Sequence, residues 1–372
     1  MNAIRKRAFG DQIVLVLQGG GALGAYQAGV YQALMEGGVE PDWVIGTSIG
    51  AINGALIAGN APQNRIARLK EFWDGVGRKN ALDHFWPQDW QTAVFGNTLA
   101  NFSTVMSGIP GFFAPNPQAA WGPTFPLGIE RASYYTTDPL KATLARLVDF
   151  DWLNRRQVRL SVGAVNVRTS DMRYFDSQDM ALAPAHIMAS GALPPAFPAV
   201  TIDGESYWDG GIYSNTPIEV VLADVPRRNS LIISVNVWQP AGARPTTIQQ
   251  VMARQKDIQY ASRGRSHVAR QAQIHRLRHV VRELVSRLPA EQRDDPVVKD
   301  LAEYGCGSLM HLVRLLSPRL DGEDHTKDID FTRAGIEGRW KAGHDHARKV
   351  LAEKPWEAEV DALAGIVIHE DD

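Results

Sequence analysis

Ile13-Val-Leu-Val-Leu17, Gly19-Gly-Gly-Ala-Leu-Gly24, Asp42-Trp-Val-Ile45 and Gly46-Thr-Ser-Ile-Gly50 are the segments on which the fold turns. The first is a short β-branched and leucine run that stops at glycine, which reads as a buried strand. A tight glycine loop follows. Then comes a helix over Ala25 to Glu36, with apolar residues at Ala25, Ala28, Val30, Ala33 and Leu34 and an end at Gly37-Gly38. Asp42 to Ile45 reads as a second strand, Gly46 to Gly50 as a second tight turn, and Ala51 to Ala58 as a helix that stops at Gly59-Asn60. Strand, loop, helix, strand, turn, helix is the rhythm of a parallel sheet flanked by helices.

Composition narrows the class. The chain has 372 residues, 39 Lys+Arg against 41 Asp+Glu, a formal charge of −2 and 44% apolar residues. It can bury a large core, and it fits one large domain or two modest ones. Low net charge and plentiful aromatics exclude a disordered polymer, and the balance excludes a globally basic nucleic-acid binder. The single cysteine, Cys306, rules out a disulfide framework and a Cys-based zinc site, and the reducing cytoplasm is its natural compartment. The apolar run after the basic start is shorter than that of a signal peptide, and no stretch approaches the ~18–20 apolar residues that span a bilayer. Surface contact with a membrane stays open.

Further strand patterns lie at 158–167 (VRLSVGAVNV) and 231–237 (LIISVNV), with a loop-rich segment at 187–217 between them. Residues 72–135 interleave Trp73, Phe85-Trp86, Trp90, Phe95, Phe102, Phe112-Phe113, Trp121 and Phe125 with prolines that include Pro110, Pro115, Pro117, Pro123 and Pro126. They read either as an irregular insertion packed on its own aromatics or as a cap over an apolar pocket. After Pro240 the texture turns helical. Leu277, Val281, Leu284 and Leu288 form one apolar stripe. The expected organisation is therefore a domain over 1–240 and a mainly helical region over 241–372.

Gly46-x-Ser48-x-Gly50 between a strand and a helix has the context of a nucleophile elbow. Small residues flank a serine on a crowded turn, and its hydroxyl stands at a helix N-terminus. Gly19, Gly20 and Gly21 let backbone N–H groups converge on an anion, as an oxyanion hole requires, or simply pack a helix on a strand. Gly19, Gly21 and Gly24 also satisfy a dinucleotide-binding pattern. That pattern needs an acid at the end of the second strand, and Asp42 stands at its beginning. A serine nucleophile needs a base. Asp209, followed by Gly210 and Gly211, can accept a proton without a histidine if a dry site raises its pKa, although Asp-Gly-Gly alone reads as a hairpin turn.

Together, Gly19-Gly-Gly-x-x-Gly24, Gly46-x-Ser-x-Gly50 and Asp209-Gly-Gly211, in that order, resemble the patatin-like phospholipases, as does Ala189-Ser-Gly-Ala-Leu-Pro-Pro-Ala-Phe-Pro198. The resemblance covers roughly residues 12–240. It implies a three-layer α/β/α fold with a mainly parallel sheet, joined here to a mostly helical C-terminal region. It also implies a Ser48–Asp209 dyad, an oxyanion hole at Gly19 to Gly21, and hydrolysis of lipid acyl esters through an acyl-enzyme, with no metal or cofactor. One departure is Leu23, where the family's glycine loop commonly carries Arg or Lys; this favours neutral or differently charged acyl esters. Asp328-Ile-Asp-Phe-Thr-Arg333 and Arg339-Trp340 are similar to the appended region of one bacterial branch. Acyl transfer to an alcohol and a non-catalytic lipid-binding module are the competing functions.

His275 and His279 have the i, i+4 spacing of a metal pair, but with no third ligand the spacing reads as a solvated helical face. His186 reads as a helix-start or core residue, and Asp203 as part of a turn before Tyr207-Trp208. Residues 241–288 hold ten Lys+Arg and two Asp+Glu, and residues 289–372 hold eleven and nineteen. The basic stretch reads either as a face for an anionic membrane surface or as a partner for the acidic stretch, within the chain or across a homo-oligomer.

Overall fold

The computed structural model describes residues 10–77, 107–320, 323–361 and 363–370. The aromatic positions 85, 86, 90, 95 and 102 of the expected insertion lie outside the described residues. The strands are β1 (Gln12–Leu17), β2 (Trp43–Gly46), β3 (Ala114–Pro115), β4 (Tyr135–Thr136), β5 (Arg159–Asn166), β6 (Met172–Asp176), β7 (Val200–Ile202), β8 (Glu205–Asp209), β9 (Ser230–Asn236), β10 (Met310–Leu316) and β11 (Ile366–Glu370). The principal helices are α1 (Gly24–Glu36), α2 (Ile49–Ala58), α3 (Pro62–Val76), α4 (Asp138–Leu147), α5 (Pro184–Ser190), α6 (Ile248–Arg287) and α7 (Arg333–Glu353).

The main sheet runs β11-β10-β9-β1-β2-β5-β8-β7, with β6 also on β5. From β11 to β5 every neighbouring pair is parallel. β6, β8 and β7 turn antiparallel at the far edge. A strand buried on both faces needs apolar side chains in both directions, and β1 has them. Ile13, Leu15 and Leu17 face the cluster built with α1, α2 and α3. Val14 and Val16 face the other side, with Ile218, Val221 and Leu222 and with Val268 of α6. Two helical layers on one parallel sheet make the three-layer α/β/α architecture.

Residues 241–372 are mostly helical, and they also extend the sheet. β10 pairs along the whole of β9, and β11 pairs with β10. α7 crosses α1 so closely that a Cβ on Gly29 would stand 1.9 Å from the Trp340 carbonyl oxygen, and one on Gly343 would stand 2.0 Å from that of Tyr26. Trp340 Nε1 donates to Gln32 Oε1 at 2.7 Å across the same contact.

α6 turns a different face inward from the one its leucines suggest. Leu277 and Leu284 are 64% and 61% exposed. His275 and His279, expected on a solvated face, are instead buried. Their Nε2 atoms face the Leu222 carbonyl at 3.2 Å and the Ser308 carbonyl at 2.9 Å. They tie α6 to the edge of the core through these two buried contacts. Among the described residues no helix is long and apolar enough to cross a membrane.

The α1–α7 crossing gives a stability test. Gly343→Ala puts a methyl into a backbone carbonyl, so about 1–3 kcal/mol or more should be lost, read as a drop of several degrees in thermal midpoint by circular dichroism. Gly338→Ala, on the same helix with room for a methyl, should be neutral or slightly stabilising. Equal midpoints for the two variants would contradict the close crossing.

Candidate active site

β2 ends at Gly46, and α2 begins three residues later. Between them Ser48 has φ 56° and ψ −123°, a conformation costly for a residue with a side chain. The turn is possible only because its flanks are bare. A Cβ on Gly46 would lie 2.3 Å from the Gly50 carbonyl oxygen, and one on Gly50 would lie 2.3 Å from that of Leu17. The Ser48 N–H donates to both the carbonyl and the hydroxyl oxygen of Ser190, each at 3.1 Å. Thr47 Oγ1 donates to the Ser214 carbonyl at 3.3 Å.

β5 brings the second group to this turn. β2 pairs with β5 as far as Gly46 opposite Val162, while β8 pairs with it from Asp209 opposite Ala164. β6 spans Ser161 to Val165 on β5 and overlaps both pairings, so β2 and β8 must share the other edge. The ends of β2 and β8 therefore meet, and Asp209 arrives beside Ser48. The block beginning Ala189-Ser190 holds both: Ser190 accepts from Ser48, and the Ala192 carbonyl accepts from the Asp209 N–H at 3.0 Å.

Asp209 is 2% exposed. Burial raises its pKa from 3.8 to about 7, partly offset by hydrogen bonds from the Gly211 N–H and the Ser48 side chain. The Gly211 N–H lies 2.6 Å from Asp209 Oδ1, and Gly210 opens the short 3-10 turn that returns the chain to it.

The glycine loop stands on the other side of Ser48. Of its three expected donors, Gly19 is already engaged, since its N–H donates to the Asn215 carbonyl at 3.1 Å. Its carbonyl accepts from Trp238 Nε1 at 2.8 Å and Asn215 Nδ2 at 3.0 Å. Among the described residues the N–H groups of Gly20 and Gly21 meet no protein acceptor, which leaves these two able to face an oxyanion. Leu23, where the resemblance leads one to look for a cation, is buried.

Glycine loop, Ser48 and Asp209 open into one cavity of about 250 Å³. Its walls are apolar: Ile49 and Ile52 of α2, Phe112 and Phe113, Leu193 and Phe197, then Trp238 and Phe331. Phe112 and Phe113 of the aromatic segment pack edge-on at 5.5 Å and both meet Phe197, whereas Trp121 and Phe125 of the same segment are exposed. Tyr260, Asp328, Ile329 and Phe331 come from the C-terminal region. Sequence reasoning noted Asp328 to Arg333 only as a segment similar to an appended region, with no place at the site, and nothing local marks Tyr260. Burial raises the Tyr260 hydroxyl pKa, and the charges of Asp209 and Asp328 add to this.

The remaining candidates take structural places. His186 sits at the start of α5, its Nδ1 accepting from the Ala183 N–H at 2.9 Å. Asp203 and Gly204, both at positive φ, turn β7 into β8. Among the described residues no three His, Cys, Asp or Glu side chains gather as a metal site needs.

Residues 15–222 match the family model described as patatin-like phospholipase, and residues 258–363 match one described as patatin phospholipase. The chain is 32% identical over 215 residues to patatin-like phospholipase domain-containing protein 7 of Mus musculus, covering 57% of this chain and 13% of that protein. It is 44% identical over 87 residues to the Aspergillus terreus protein named lysophospholipase nte1, covering 23% of this chain and 6% of that one. The chain thus spans only a small part of the curated relatives it matches. VipD from Legionella pneumophila aligns over 92% of this chain and 67% of that chain, at 16% identity and a TM-score of 0.39.

The buried carboxyl makes a pH prediction. A folded pKa raised from 3.8 to about 7 favours the protonated form in the native state. Its contribution to stability is complete below pH ~4, is lost as pH rises to ~7, and is flat above, a total of roughly 4 kcal/mol. Asp209→Asn cannot ionise. Denaturant titrations from pH 4 to 8 should therefore show the variant gaining on the parent by a few kcal/mol up to pH ~7 and no further. A pH-independent difference would contradict the raised pKa.

Proposed function

We infer that this chain, which belongs to the patatin-like phospholipase family, hydrolyses acyl esters of lipids through a Ser48–Asp209 dyad. The observation that carries the reading is a strained serine opening into one cavity with a buried carboxyl whose pKa burial has moved to about 7. A base titrating there is ionised near neutral pH and is strong enough to take a proton as an alcohol attacks.

The steps follow from the groups present. Ser48 Oγ attacks the ester carbonyl while Asp209 takes its proton. The negative oxygen forms against the N–H groups of Gly20 and Gly21, at the N-terminal end of the helical turn that leads into α1. Asp209 returns the proton to the leaving alkoxide, and acyl-Ser48 remains. A water then gives its proton to Asp209, attacks the acyl carbon, and Ser48 leaves with that proton. No histidine is needed, because one carboxyl serves as base and acid in turn.

The apolar walls suit an alkyl chain, and a cavity of about 250 Å³ is at the small end for a lipid pocket. This favours a single acyl chain, as in a lysophospholipid or a monoacyl ester. Leu23 brings no cation to the glycine loop, so an anionic headgroup is not required there.

Ser48→Ala and Asp209→Asn should each lower hydrolysis of a fluorogenic acyl ester by ~10³-fold or more while circular dichroism is unchanged. A fluorophosphonate should label Ser48 in the parent. A folded parent that is not labelled would instead fit a lipid-binding module, and acyl-glycerol formed with added glycerol would reveal acyl transfer. Phe113→Ala should lower kcat/KM for long-chain esters about tenfold and for acetyl esters less than about twofold, because only the long chain reaches that wall. Equal losses would make the aromatic segment purely structural.

A further inference from the structure

The C-terminal region reaches the glycine loop through two Lys-Asp dipeptides that bind each other reciprocally. Lys256 Nζ lies 2.7 and 2.9 Å from the two carboxylate oxygens of Asp328. One residue on in the first segment and one residue back in the second the charges reverse, and Lys327 Nζ lies 2.9 Å from Asp257 Oδ1. The Lys327–Asp257 pair is buried, whereas the Lys256–Asp328 pair is partly open. Asp257 also accepts from the Gln239 N–H at 3.3 Å and from Arg319 Nη2 at 3.4 Å. Lys256 also donates to the His325 carbonyl at 2.9 Å.

This joint bears directly on the donors of the oxyanion site. The Asp328 carbonyl seats against Gly21, which has φ 55° and where a Cβ would stand 2.2 Å from that oxygen. Lys327 Nζ lies 5.2 Å over the ring of Trp238, whose Nε1 holds the Gly19 carbonyl. Immediately beyond Asp328, Ile329 and Phe331 enter the cavity wall, with Phe331 stacked on Trp73 at 6.4 Å. The physical need is specific. N–H groups that must stay open to a transient oxyanion cannot be fixed by hydrogen bonds of their own, so their orientation must be imposed by what packs behind them. A carbonyl and an indole held by ion pairs supply that packing. A buried pair adds little net stability but fixes one geometry.

We propose that the reciprocal Lys256–Asp328 and Asp257–Lys327 joint is a positioning device that sets the Gly20–Gly21 donors and makes the C-terminal region part of the catalytic unit. The proposal rests on the Ser48 hydrolase reading. All four are positioning residues, since they act through the glycine loop and Trp238.

The accessible pair provides the test, because breaking the buried pair would also disturb folding. Lys256→Asp, Asp328→Lys and the exchanged double variant are compared with the parent for the rate of Ser48 labelling by a fluorophosphonate, for kcat and KM on an acyl ester, and for thermal midpoint. Each single variant should label Ser48 and turn over about tenfold more slowly or worse, with KM within about threefold. Midpoints should move little, as for other partly exposed pairs. The exchanged variant should recover most of the rate. Parent-like rates in the single variants, no recovery on exchange, or losses of rate that follow lowered midpoints would each overturn the proposal. A parent that fails to label would instead overturn the underlying hydrolase reading.

Discussion

Between Val162 and Ala164, β5 changes neighbours along one edge. β2 leaves at Gly46 and β8 arrives at Asp209. A parallel partner running out and an antiparallel partner running in must end facing each other at that gap. The turn after β2 and the carboxyl at the end of β8 are therefore brought together by strand pairing, before any side-chain contact is considered. Everything chemical in the site depends on this. The elbow glycines let α2 start within the gap, the Ala189-Ser190 block bonds both ends, and the glycine loop closes the third side from β1.

The same geometry has a thermodynamic consequence. A carboxyl enclosed at the meeting of two strand ends has lost water and gained only the Gly211 N–H and the Ser48 hydroxyl. Its ionised form is disfavoured by roughly 4 kcal/mol relative to the unfolded chain, a large share of a typical domain's stability. The strained φ at Ser48 adds to the cost. A three-layer core offsets both, and its margin is widened by β10, β11 and the α1–α7 crossing. A carboxyl with its pKa moved to about 7 is thus maintained by a fold that would be more stable without it, which is what the proposed role of Asp209 as a base asks of the scaffold.

How far the molecule could be read from its sequence follows the range of the interactions involved. β1, β2, α1 and α2 were legible because a buried parallel strand and a glycine-flanked turn leave local patterns. Ser48 and Asp209, which the structure brings into one cavity, stood out through short motifs of the same kind. The engagement of the Gly19 N–H was not, because its acceptor is Asn215, distant in sequence and brought near by the return of the chain after β8. The inward face of α6 was not either. Its leucines advertise one face, but the side turned to the core carries His275 and His279, chosen by carbonyls of Leu222 and Ser308 that no helical periodicity encodes. Tyr260, Asp328 and Phe331 lie in the cavity because β10 continues the sheet beyond β9, a pairing that the local texture after Pro240 gives no sign of.

Charge patterning was legible in outline and only partly in meaning. The basic stretch 241–288 and the acidic stretch 289–372 do meet within one chain, through Lys256 with Asp328. Asp257 with Lys327 meets there too, with both signs opposite to the surrounding trend. Bulk neutralisation would not need that reversal; any basic residue near any acidic one would serve. Two adjacent pairs of opposite sense resist sliding by one residue, because a shift one way would set Lys256 against Lys327 and a shift the other way Asp257 against Asp328. Register is what a segment carrying Phe331 into a cavity and a carbonyl onto Gly21 requires. The alternation of sign is therefore better explained by position than by attraction, and it links the helical C-terminal region to the glycine loop beside Ser48.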